Sequence, residues 1–107
     1  MAYDEALAER VRAELAGEEG LTERRMFGGI AFMIAGNMAV GVREDELMVR
    51  LGDVEDALAQ PHVRQSMMGE RPMKGMVVVA PEGVETDEQL GAWIGRGAAV
   101  ARSLPPK

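Results

Sequence analysis

Few residues in this chain have the types and spacing that chemistry needs. The single histidine, His62, follows Pro61 at the end of a short helical pattern. A general base there needs a carboxylate to orient it, and spacing singles none out, so His62 reads as a loop residue. The absence of cysteine removes thiolate nucleophiles, disulfides and zinc–thiolate sites together. Thr22, Ser66, Thr86 and Ser103 stand in no nucleophile-elbow pattern. The carboxylates fall mostly on helix faces and turns, where solvation accounts for them. The expectation is a non-enzyme with no catalytic residues, no metal site and no cofactor.

Binding chemistry is better represented. Gly28-Gly29 follows Met26-Phe27, but strand-like residues come next, whereas a phosphate-cradling loop leads into a helix. A bend that uses glycine's freedom is the reading there. Arg24, Arg25 and Lys74 flank the glycine motifs and form a candidate anion site, on the condition that the strands bring them together. The chain has nine methionines, and those after Met1 are Met26, Met33, Met38, Met48, Met67, Met68, Met73 and Met76. Such thioethers fill a core poor in aromatics, form an adaptable surface for a protein partner, or bind Cu(I). Met67, Met68 and Met73 fall in the least regular stretch and are the ones expected to be exposed.

The elements that must position these residues follow from periodicity. Leu7, Val11 and Leu15 recur every four residues, which predicts a helix over about 3–16 with Gly17 after its end. Arg24 to Phe27 and Ile30 to Ile34 read as two strands hinged by the glycine pair, or as one strand bent there. Met38–Arg43 and Leu47–Leu51 are strands joined by the polar turn Glu44-Asp45-Glu46. A short helix over 54–60 is capped by Asp53 and stopped by Pro61. A strand near Gln65–Met68 precedes a turn over 69–72, and Met76–Ala80 is the strongest strand in the sequence. Thr86 and Gln89 form a capping-box pattern ahead of a helix over 87–103. Gly91, Gly95 and Gly97 within that helix suggest that another backbone comes close, from the sheet beneath or from a second subunit. Short turns between apolar runs mean antiparallel pairing. The residues thus give one α+β domain over 1–107: helix, three strands, helix, one or two strands, helix, in two layers with helices on one face.

Bulk properties narrow the partners. The net charge of −6, from 12 basic and 18 acidic residues, disfavours direct nucleic-acid binding. No apolar run approaches membrane-spanning length, and Met1-Ala2-Tyr3-Asp4-Glu5 does not open a signal peptide. No membrane association and a cytoplasmic setting are expected.

Three stretches, Met26 to Phe32, Asn37 to Val42 and Arg71 to Gly75, together with Trp93 and the tail Arg102 to Lys107, resemble the N-terminal domain of the TfoX/Sxy family. The resemblance covers the chain in order. It implies helix, three strands, helix, two strands, helix, with an antiparallel sheet of about five strands, and so favours a real strand at Gln65–Met68. It marks Met26, Phe27, Gly28, Gly29, Met73, Lys74 and Gly75 as motif residues. It further implies a regulatory module related to competence regulators, and with the methionine content and the glycine-bearing helix the expectation is a protein-interacting module with a protein partner or a homodimer. Full-length regulators carry a second, C-terminal domain, which the resemblance here does not reach.

Overall fold

The computed structural model describes residues 3–26 and 28–106. Asp4 starts the first helix, α1 (Glu5–Leu15), by accepting the Leu7 N–H at 3.1 Å, and Leu7, Ala8, Val11 and Leu15 form the buried stripe. Four strands follow as a meander: β1 (Leu21–Met26), β2 (Gly29–Ile34), β3 (Asn37–Arg43) and β4 (Glu46–Arg50). The one-turn helix α2 (Glu55–Leu58) leads into the hairpin of β5 (Val63–Met68) and β6 (Arg71–Val79). A 3-10 turn and the long helix α3 (Asp87–Ser103) complete the order. All pairings between these strands are antiparallel, and the strands lie in the order β1-β2-β3-β4-β6-β5.

The α+β class and the antiparallel sheet agree with the sequence, with adjustments that have local causes. The sheet has six strands because the glycine pair makes a hairpin turn and not a bend in one strand. Gly28 takes φ +76° in that turn, and a side chain on Gly29 would run into the Val42 carbonyl. β6 begins at Arg71, so Lys74-Gly75 lies inside the strand and not ahead of it. Gly75 makes this feasible: at φ +79° its carbonyl accepts both the Leu51 and Gly52 N–H groups, at 2.7 and 3.0 Å. α2 is shorter than expected, with the Asp53 carboxylate accepting the Glu55 N–H at 3.1 Å. The capping box forms as predicted, the Gln89 N–H donating to Thr86 Oγ1 and the Thr86 N–H to Gln89 Oε1, each at 3.0 Å.

Strand alternation sends Phe32, Val40, Leu47, Val49, Val77 and Val79 to one face, where they meet Leu7, Val11, Leu90 and Ile94 of the helices. α3 packs chiefly on β2, β3 and β4. Of its three glycines, Gly97 does admit a neighbouring backbone: a Cβ there would lie 2.5 Å from the Ala39 carbonyl oxygen. Gly91 faces the Glu14 carboxylate, and Gly95 has nothing within 4 Å. The tail is tied back by buried Asn37, whose Nδ2 donates to the Pro105 carbonyl at 2.9 Å. No helix among the described residues is long and apolar enough to cross a membrane.

Ion pairs stitch the outside of the helical layer. Arg12 on α1 donates to Glu23 on β1 at 2.7 and 2.8 Å, pairs with Glu9, and stands 5.9 Å from the centre of the Phe32 ring. The Arg12 hydrogen bond holds the Glu23 carboxyl below its ordinary value of 4.5, against the opposing effect of desolvation. A carboxyl lowered in the fold contributes stability above its unfolded value, and that contribution is lost as pH falls through the folded one. Glu23→Gln should therefore cost about 0.5–1 kcal/mol at pH 7. The gap to wild type should close progressively below pH 4.5, as denaturant titrations at neutral and acid pH would read.

Candidate functional site

The second face of the sheet carries no helix among the described residues. Register places Arg24, Ala31, Gly41, Met48, Val78 and Arg64 in one row across all six strands. Around this row Met48, Met76 and Val78 are buried and Met38 and Met73 half-buried, forming a second, smaller core. Its floor is low because Gly41 has no side chain: a Cβ there would lie 2.9 Å from Met38 Cε and 3.0 Å from Met48 Cε. The Met38 methyl group from the same strand and the Met48 methyl group from neighbouring β4 thus lie over the glycine.

Above this core is a hollow of about 240 Å³ lined by Met26, Met38, Met48, Met67, Met73 and Arg43. A smaller hollow of about 140 Å³ continues from it past Arg43, Met48 and Met67 to Arg64, Glu46 and Ser66. Met67 is 42% exposed, high for a large apolar side chain. Buried Ser66 directs its hydroxyl at Met73 Sδ, at 3.4 Å, and Gln65 Nε2 donates to the Met73 and Met76 carbonyls at 2.8 and 3.1 Å. Those bonds fix the β5–β6 wall where the strand register shifts. The opposite wall is the β3–β4 hairpin.

The trough is bordered by positive charge. Arg24, Arg43 and Arg64 are exposed on this face, and Arg50, paired with Met76, is half-buried on it. Glu46 is the carboxylate among them, with Glu44 at the adjoining turn. Arg64 donates twice to Glu46, once at 2.7 Å, and this bonding holds the Glu46 carboxyl below its ordinary range, with Arg43 adding to the effect. Arg24 and Arg43 have no ion-pair partner among the described residues. Locally basic, methionine-lined and open, this face belongs to a chain whose net charge is −6.

The structure sorts the residues singled out from sequence. Met26 and Met73, from two separate motifs, line the same trough. Gly28, Gly29 and Gly75 shape the turns and close approaches beneath them. Phe27 lies outside the described residues, as does the side chain of Met68. The anion-site trio does not converge. Arg24 and Arg25 are successive residues of β1 and leave opposite faces, and Lys74 stands on β6, four strands away in the sheet order. His62 is exposed at φ +67° beside a shallow cleft lined by Gln89, Trp93 and Arg96, with no carboxylate in that lining to orient it. Met38, Met48 and Arg43, which complete the trough, carried no sequence signal beyond the methionine count, because nothing in the strand pattern says which face the helices will cover.

A family model described as the TfoX N-terminal domain matches residues 13–101 of the chain. No curated protein and no solved structure matches it.

Proposed function

Since the chain belongs to the TfoX N-terminal domain family, we propose that it is a competence-regulator-like module that works by binding a protein partner, not by catalysis. The methionine trough on the uncovered sheet face carries this reading. Methionine is flexible and polarizable, and surfaces built from it repack around different partners. Five methionines converge there from five strands, β1, β3, β4, β5 and β6, while the charged helical layer serves the main core on the other side.

The test is site-specific photo-crosslinking in cells of the source organism. A photoreactive residue at Met67, on the trough, should give discrete protein adducts, whereas one at Glu19, in the loop after α1, should not. Gly41→Ala should suppress the Met67 adducts, because its methyl displaces the Met38 and Met48 ends without meeting rigid backbone closer than 3.1 Å. Adducts that form equally from both positions, or that ignore Gly41→Ala, would remove the trough as the interaction surface.

A further inference from the structure

Resting on that reading of the trough, we infer that its partner is an acidic amphipathic helix, with apolar residues seated among the methionines and carboxylates meeting the arginines. Three observations lead there. The first is charge. Arg24, Arg43, Arg50 and Arg64 stand on the face with Glu46 and, at its margin, Glu44, and Glu46 is already engaged by Arg64. Arg24 and Arg43 stand in no ion pair among the described residues, Arg43 acting on Glu46 only through its field, and guanidinium groups bind carboxylates in a bidentate way. The second is shape. The trough straddles the β4–β6 seam, and from Met38 on β3 to Met67 on β5 the strands lining it span three strand spacings, roughly 14 Å. An α-helix with side chains, roughly 10–12 Å wide, fits that span. The third is precedent within the molecule: the opposite face of the same sheet already receives amphipathic helices on a floor of strand side chains.

The same observations count against other occupants. Two copies meeting through this face about a two-fold axis would place arginines against arginines. A soft metal ion among the thioethers would sit beside the Arg43 guanidinium. A nucleic acid would find the arginines but no base-stacking ring among the described residues of this face, since Tyr3, Phe32 and Trp93 belong to the helix-side core.

The experiment uses the protein labelled at its methionine methyl groups and observed by NMR at low salt. The probes are three synthetic amphipathic helices that share one leucine stripe and carry Glu, Gln or Lys beside it. A fourth probe is a single-stranded oligonucleotide. The Glu helix should shift the methyl signals of Met38, Met48, Met67 and Met73, and should bind about tenfold more tightly than the Lys helix. Added salt should narrow that ratio, and Arg43→Gln with Arg24→Gln should abolish most of it. An unchanged methyl spectrum of this double variant without peptide confirms that it is folded. If Glu, Gln and Lys helices bind the face alike, the acidic partner is wrong while the docking surface stands. If no helix moves these signals, the docking surface falls as well. Tighter binding by the oligonucleotide on the same methyl groups would replace the acidic helix with a nucleic acid.

Discussion

Phe32→Ala should destabilise the domain by about 3–5 kcal/mol, read as a lower midpoint in urea with an unchanged slope. Phe32 is fully buried in the middle of the helix-side core, and in sequence it sits on β2 between Ala31 and Met33, whose side chains leave the other face. The aromatic content of the chain is 4%, so few other rings fill space near it. A domain of this size holds about 5–15 kcal/mol in total, so the variant would sit near the edge of folding at ambient temperature. Arg12, stacked over the ring while bonded to Glu23, would lose its support at the same time. A loss below about 1 kcal/mol would mean that the core around Phe32 collapses into the vacated space far more readily than its packing indicates.

The second large effect is a contrast between two glycines in one helix. Gly97→Ala should destabilise the fold by about 2 kcal/mol or more. Gly95→Ala, two residues earlier, should stabilise it by about 0.5–1 kcal/mol. Both replacements gain the same helical propensity. They differ in what the new methyl meets. At Gly97 it lies 2.5 Å from the Ala39 carbonyl oxygen and 2.9 Å from Val40 Cγ1, so α3 must lift away from β3. At Gly95 there is nothing within 4 Å. Thermal melts of the two variants should bracket the wild type. Equal shifts in the same direction would show that α3 is not seated on Ala39 as described.

These glycines also mark what could be read from the chain alone. The spacing of Gly91, Gly95 and Gly97 predicts close approach of a backbone, but three candidates stand where one contact exists, and only the rotation of α3 on the sheet selects Gly97. The ends of α3 were legible in full, because Thr86, Gln89 and the two prolines after Leu104 are local signals. The β1–β2 hairpin was half legible: Gly28-Gly29 announces a break, and whether it is a bend or a turn depends on pairing with β3. The trough was legible only as an excess of methionine. Met26 and Met73 belong to motifs forty-odd residues apart, and the β4–β6 pairing that brings them to one hollow leaves no trace in either motif. Arg24 and Arg25 show the reverse case, since adjacency in sequence suggests a shared site and a β-strand separates them.

The strand order has a dynamic consequence. Residues 21–50 make one continuous meander, residues 63–79 make one hairpin, and the two units join along one backbone seam, Leu47 to Arg50 against Val79 to Met76, which the Arg64–Glu46 ion pair also crosses. Because α3 rests chiefly on the meander, the hairpin is the part with the least holding it when the domain opens locally. Amide hydrogen exchange along β5 and β6 would then proceed by release of this unit at a free energy below that of global unfolding. The trough straddles the seam, with Met38 and Met48 on one side and Met67 and Met73 on the other. Anything seated there would act as a clasp between two cooperative units, and occupancy would be felt first as slowed exchange at the joint.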